Sequence, residues 1–308
     1  MAVVLTNLSN RRYEESRLRL NASAERYGID RLRSLDWEDL RTTPFYEENR
    51  GILDRPTGMG YWLWKPFIIL EALNAVAEGD IVIYADSGLE IVASLEPLFD
   101  LCRNGNPILL FGNADFSNSM WTKRDCFILM GCDGEAYWKA PQCDAAFAVF
   151  RRCEASLRFV SEWLDHCRDG RILTDDANTC GRRNLPDFVE HRRDQSVLSL
   201  MAAKHRISLF RMPTQFGNHY KAPAFRLADE FNCVNQNRRA PVDYYALIPY
   251  YNSPYFQLLD HHRHQNKNSG DGGKQKGRGP FSLIVRIIGK WYRRWLNTYD
   301  LWRHKHPT

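Results

Sequence analysis

Three residues stand where their type and position suggest chemistry. Asp86 follows Asp80-Ile81-Val82-Ile83-Tyr84, a short apolar run that reads as a strand. In an open α/β sheet, ligands bind beyond the carboxyl ends of the strands. A carboxylate delivered there is a candidate metal or ligand contact, although an Asp in that place also serves as a cap for the next turn or helix. Lys65 lies 21 residues earlier, between Trp64 and Pro66, at the start of a helix. Its aromatic and cyclic neighbours read as a pocket wall, and the alternative is a surface lysine in a first helical turn. Asp194 follows Arg192 and Arg193 and precedes Gln195 and an apolar segment. It is a site carboxylate or the acid of a helix-cap ion pair, and surface pairs of that kind contribute little. Trp121 to Asp125, WTKRD, mixes aromatic, hydroxyl and charged groups. It suits a diphosphate or acceptor contact, or a plain turn.

The elements that position these residues emerge from apolar spacing. Gly58 to Trp64 is a glycine-punctuated aromatic loop. A helix opened by Lys65-Pro66 comes next, with Ile68, Ile69, Leu73, Val76 and Ala77 as its apolar positions, and Gly79 stops it. Val3 to Thr6 reads as the first strand, Asn7 to Tyr13 as a polar loop, Glu14 to Tyr27 as a helix and Ile29 to Leu35 as a second strand. Residues 36–57 read as irregular. Ser94 to Leu101 is a short helix, Ile108 to Phe111 a buried strand, Ala145 to Phe150 another, and Cys153 to Cys167 an amphipathic helix. A helix SVLSLMAAK and a strand Ile207 to Phe210 come last. Strands alternating with helices predict an α/β fold with a mostly parallel sheet.

Charge is unevenly placed. Between 263 and 308 there are eleven Lys and Arg against two Asp, a net +9 that leaves −4 for residues 1–262 of the chain's +5. The eight cysteines form no C-x-x-C pair and no zinc spacing, so reduced thiols and a cytoplasmic protein are expected. The N-terminus lacks the features of a signal peptide. Residues 1–261 read as the folded domain and the Gly-rich, polar 262–280 as a flexible linker. The 281–303 segment puts Ile284, Ile288, Trp291, Trp295 and Trp302 on one helical stripe, with Arg286, Lys290 and Arg293 on the other side. That pattern predicts a helix lying on an anionic membrane surface, rather than one packed on the body or bound to nucleic acid.

With these residues in order, the chain resembles nucleotide-sugar-dependent glycosyltransferases of the GT-A fold. In particular it is similar to the retaining glycogenin-like and bacterial lipopolysaccharide galactosyltransferase group and to bacterial relatives carrying GYWLWKP and HRRDQS-type signatures. The resemblance covers roughly residues 1–225 and rests on VVLTNLSNRRY, Lys65 ahead of the Asp86 strand, DQSVLSL and FGNHYKAP. It implies a hexosyltransferase that moves a sugar from a nucleotide-sugar donor, UDP-sugar favoured, with retention. The acceptor would be a glycan or lipid-linked acceptor in cell-surface polysaccharide synthesis, at the cytoplasmic face of the membrane.

By the same resemblance, Thr6, Asn7 and Tyr13 bind the donor, with Tyr13 stacked on the base. Lys65 and Lys221 face its diphosphate, and Gln142 and Asp144 its sugar. Asp194 and Gln195 are catalytic. Asp86 and His219 hold a divalent cation, Mn²⁺ or Mg²⁺. The family uses Asp-x-Asp, whereas this chain has Asp86-Ser87-Gly88, so the second carboxylate has no counterpart. A sugar nucleotidyltransferase would need a Gly-rich loop after the first strand, and LTNLSNRRY has no glycine. A non-catalytic membrane-associated protein that kept the fold is the other alternative.

Overall fold

Val3–Ser9 is buried along its whole length, so β1 lies in the interior of a sheet covered on both faces. The computed structural model describes residues 1–214, 217 and 252–262, and the backbone alone at 113–116. His219, Lys221, all but the first residue of the expected 262–280 linker, and the expected 281–303 helix lie outside the described residues. The other strands are β2 (Arg31–Asp36), β3 (Ile81–Ala85), β4 (Leu89–Ile91), β5 (Ile108–Ser117), β6 (Pro141–Arg151), β7 (Leu209–Arg211) and β8 (Leu259–His261). The main sheet has the order β2-β1-β3-β6-β5-β7, and β4 pairs with β8 in a small antiparallel sheet. Within the main sheet β6 alone runs against its neighbours. The mostly parallel α/β sheet flanked by helices is therefore what forms. Because β6 is reversed, its N-terminal end lies at the same sheet edge as the C-terminal end of β3. Gln142, Asp144 and Asp86 thus come to one edge.

Helices cover both faces. On one side Leu8, Val82, Tyr84, Leu110, Ala148 and Phe150 pack under α2 (Trp64–Asn74), α4 (Glu154–Arg168) and α5 (Asp194–Lys204). On the other, Leu5, Ile83, Phe147 and Val149 meet α1 (Glu14–Arg26), α3 (Glu96–Arg103) and the 252–262 segment, through Tyr255 and Leu258. In α5 every residue from Ser196 to Ala202 is buried, and α2 is buried from Trp64 to Pro66 as well as at Ile68, Ile69, Ala72 and Leu73. Helices apolar nearly all round belong inside a fold. Each buried Leu or Ile contributes about 1.5–3 kcal/mol, which is enough to carry a charged residue into the interior at each helix start.

Some boundaries differ from those the sequence predicts. β1 runs on to Ser9, so Asn7 to Ser9 are strand residues rather than the start of a polar loop, and Thr6 lies in the strand as expected. Asn7 donates from Nδ2 to Asn21 Oδ1 at 2.9 Å and accepts at Oδ1 from Ser34 Oγ at 2.8 Å. Thr6 Oγ1 donates to the Arg33 carbonyl at 3.2 Å. These bonds satisfy the polar groups that made the stretch look like a loop. The 36–57 stretch is not irregular either. It forms one-turn helices at Trp37–Arg41, Pro44–Glu48 and Arg50–Leu53. Asp36 and Asp39 close a capping box on the first, and Thr43 with Pro44 starts the second. β6 begins at Pro141, earlier than its apolar core, because Gln142 and Asp144 interrupt the hydrophobic pattern.

The glycine-punctuated loop has an unusual backbone. Gly58 to Trp62 have φ of 56, 53, 82, 55 and 61°. Tyr61 N donates to Thr57 O at 2.6 Å and Trp62 N to Gly58 O at 3.3 Å. This is one left-handed helical turn, at a cost of about 1–2 kcal/mol for each of Met59, Tyr61 and Trp62. The two glycines have no substitute. A Cβ on Gly58 would stand 2.3 Å from the Trp62 ring, and one on Gly60 would stand 2.5 Å from Leu53 Cα. Trp64 Nε1 donates back to the Gly58 carbonyl at 3.1 Å, which fixes the entry into α2 and so the direction of Lys65. Gly60→Ala should cost roughly 3 kcal/mol and lower Tm by about 6–12 °C in a melting curve. Gly51→Ala meets nothing within 4 Å and should stay within about 1 kcal/mol of the parent. Equal losses in the two variants would contradict the packing described for the turn.

Candidate active site

Lys65 is the first charged group of α2, and only 3% of its side chain is exposed. Its Nζ lies 2.8 Å from Asp194 Oδ2 and 3.5 Å from Asp86 Oδ1, and donates to the Ala145 carbonyl at 2.9 Å. An ammonium has three N–H donors, and three acceptors surround this one. Asp194 is the first residue of α5, where the helix dipole favours a carboxylate. Its Oδ2 has the ammonium as ionic partner and no aligned hydrogen-bond donor. Asp86 is the outermost of the three, with 30% of its side chain exposed. The Tyr84 hydroxyl donates to the same Asp86 oxygen that faces Lys65. The Tyr84 ring lies under the ammonium, 5.2 Å from Nζ to centroid.

One cation between two carboxylates gives a net charge of −1, and most of it is out of water. Burial works against the Lys65 charge, but Asp194 and Asp86 outweigh it and hold the ammonium pKa above its ordinary value. Burial pushes the Asp194 carboxyl up to about 6; Lys65 opposes that rise and the negative charge of Asp86 adds to it. The Tyr84 phenol is raised well above its usual range, first by burial and then by Asp86.

A second set adjoins the first. Gln195, next to Asp194, donates from Nε2 to Gln142 Oε1 at 3.0 Å. Gln142 is fully buried and donates to Asn118 Oδ1 at 2.9 Å and to Thr122 Oγ1 at 3.2 Å. Asp144 accepts from the Ala146 amide at 2.7 Å and contributes to the field at Lys65. The structure therefore brings together Lys65, Asp86, Asp144 and Asp194, with the Gln142–Gln195 pair beside them. Thr6 and Asn7 are turned to internal hydrogen bonds with the second strand and α1. Tyr13 ends a short 3-10 turn, Arg11–Tyr13, just past β1, with the Arg12 guanidinium 5.9 Å from its ring. Lys123 is buried and donates to the Asp176 carbonyl at 3.1 Å.

Two participants escape the sequence reading. Tyr84 was within reach of it, since residues two apart on a strand share a face. Asp175 was not, because its partners Tyr61 and Arg193 are 114 and 18 residues away.

Among the described residues the donor set does not complete a divalent-ion site, and His219, the other expected ligand, lies outside them. Gly88 supplies no carboxylate, and one oxygen of Asp86 is committed to Tyr84 and Lys65. Among the described residues no three His, Cys, Asp or Glu side chains converge on a metal geometry. A lysine ammonium occupies the point where Asp86 and Asp194 face each other. The described cysteines form no disulfide with one another.

No protein-family model matches the chain, and no curated protein does. Solved structures do. Mouse xyloside xylosyltransferase 1 in its apo form is similar at 9% identity and TM-score 0.42, over 85% of this chain and 98% of that one. The galactosyltransferase LgtC, in complex with donor and acceptor sugar analogues, is similar at 12% identity and TM-score 0.41, over 84% and 86%. The glycosyltransferase GlyE of Streptococcus pneumoniae TIGR4 is similar at 15% identity and TM-score 0.42, over 96% of this chain and 64% of its own. At this level of likeness, what the site can do is read from its own residues.

The raised Asp194 carboxyl has a consequence for stability. Between roughly pH 4 and 6 the folded chain keeps a proton on Asp194 that the unfolded chain has released. This group's contribution to stability is therefore highest below that window and falls as pH rises through it. Asp194→Asn does not titrate. Thermal melts from pH 4 to 6.5 should show the variant gaining on the parent by roughly 2–3 kcal/mol. A constant offset across the window would mean that Asp194 titrates like an ordinary surface carboxyl.

Proposed function

We propose that this chain is a GT-A-like glycosyltransferase that moves a sugar from a nucleotide-sugar donor to a glycan or lipid-linked acceptor. One observation carries the proposal. Lys65, Asp86 and Asp194, from three separate segments, meet within 3.5 Å at the edge of the sheet where α/β proteins bind ligands. The motif order that resembles this family falls on the same residues.

The reaction breaks the bond between the anomeric carbon and a nucleoside diphosphate. Positive charge grows on the sugar and negative charge on the leaving group. Asp86 is the carboxylate that reaches the surface, held by Tyr84 and Lys65, so it faces the developing positive charge without having to reorient. The Gln195 amide lies at the same rim, half-buried and braced by Gln142. It orients the sugar. Lys65 is enclosed by its three acceptors, so it serves to fix the two carboxylates rather than to touch the diphosphate. The leaving group is left to cations that approach from outside this trio. No step here is routed through a metal. The basic amphipathic pattern of 281–303 supports an acceptor at an anionic membrane surface, which would place the protein at the cytoplasmic face.

The test is a thermal-shift screen of the full chain against UDP-, GDP-, CMP- and dTDP-sugars, with and without Mn²⁺, followed by turnover. A donor at about 100 times its Kd should stabilise the protein by about 2.7 kcal/mol. Asp86→Asn keeps an acceptor for Tyr84 and should fold normally, yet lower turnover at least about 100-fold. No shift with any nucleotide sugar favours the non-catalytic alternative. Full turnover in the variant would remove Asp86 from the reaction.

A further inference from the structure

Two residues in the left-handed region flank the buried pair. Tyr61, with φ 55°, lies four residues before Lys65. Arg193, with φ 55° and ψ −123°, immediately precedes Asp194 as the N-cap of α5. That second conformation belongs to the first corner of a II′ turn, a position dominated by Gly, Asn and Asp. Non-glycine residues stay in such wells only when their surroundings hold them there.

The same carboxylate holds both. Asp175 Oδ1 accepts from the Tyr61 hydroxyl at 2.7 Å, and Asp175 Oδ2 accepts from an Arg193 guanidinium nitrogen at 2.8 Å. The next residue repeats the pattern. Asp176 takes a bidentate contact from Arg55 at 2.6 and 2.8 Å. Arg55 in turn lies 4.8 Å over the Tyr61 ring, and its carbonyl accepts from the Gly60 amide at 2.8 Å. Hydrogen bonds from Arg55 hold the Asp176 carboxyl down at about 2. Residues 174–176 therefore form one brace across two segments that are distant in sequence.

We propose that Asp175 is a positioning residue for the Lys65–Asp194 pair. Its carboxylate ties the left-handed turn that leads into Lys65 to the strained residue that precedes Asp194. Asp175 is 39% exposed, and an exposed ion pair adds little to stability by itself. Its effect is on geometry, because both backbones it holds relax elsewhere once released. This rests on the reading of the Lys65–Asp194 pair as part of the active site.

The experiment reads the pair directly and needs no substrate. The full-length chain is treated with an N-hydroxysuccinimide acetate reagent, and acetylation of Lys65 is followed by peptide mass spectrometry. In the parent, Lys65 is enclosed and should label slowly. Asp175→Ala should raise Lys65 labelling about ten-fold through local opening, with a change in Tm of only a few degrees. Adding Arg193→Gly to that variant should restore most of the protection, because glycine adopts φ 55°, ψ −123° without a brace. A role confined to holding the 174–176 loop predicts no such rescue. Unchanged labelling in Asp175→Ala, or a rise that Arg193→Gly does not reverse, would overturn the proposal. If Asp175→Ala does not fold, Asp175→Asn keeps one acceptor and should give a smaller rise, about three-fold, with the same rescue. Failure of the nucleotide-sugar screen would leave this result standing, so the two readings fail separately.

Discussion

The Lys65 ammonium is shared by two carboxylates in a place water barely reaches, and the rest of the site depends on that sharing. Removing charges from water costs several kcal/mol per ion unless partners and hydrogen bonds replace the solvent. Here the Ala145 carbonyl and the Tyr84 hydroxyl complete the set. The residual negative charge is left on the most exposed member, Asp86. A fixed carboxylate at the rim of a buried charge cluster is suited to meet positive charge that appears only during a reaction.

The architecture explains how such a trio is assembled. α2 and α5 are buried along most of their length, so their first residues enter the interior whatever their polarity. The reversed β6 brings the Ala145 carbonyl and Gln142 to the same edge. Two strained backbone segments then aim the charges, one by a left-handed turn before α2 and one by the conformation of Arg193 before α5. Strain in these wells costs about 1–3 kcal/mol per residue and persists because the surroundings over-determine it.

Much of this was legible in the sequence, and the failures have physical causes. Asp86 at the end of an apolar strand, Lys65 at a helix start and Asp194 at a helix head were all marked by local punctuation. The glycines of GMGYW signalled a special backbone, although spacing alone does not say left-handed. What could not be read is long-range. Asn7 looked like a loop residue because its partners Asn21 and Ser34 are visible only once α1 and β2 have packed. The enclosure of Lys65 by Ala145 and Asp194, and the brace of Asp175 on Tyr61 and Arg193, join residues between 18 and 129 positions apart. Two of the three one-turn helices of 36–57 are set by side-chain caps, and all three are too short for apolar periodicity to reveal.

The most direct measurement is a double-mutant cycle on the buried pair, with unfolding free energies from urea titration of the parent, Lys65→Met, Asp194→Asn and the combination, all at pH 7. Lys65→Met leaves two carboxylates facing each other without their cation and should cost about 3–5 kcal/mol. The double variant should recover a large part of that loss, giving a coupling of at least about 1.5 kcal/mol. Losses that simply add would mean that Lys65 and Asp194 are independent, and the site would then have to be explained without a shared ammonium.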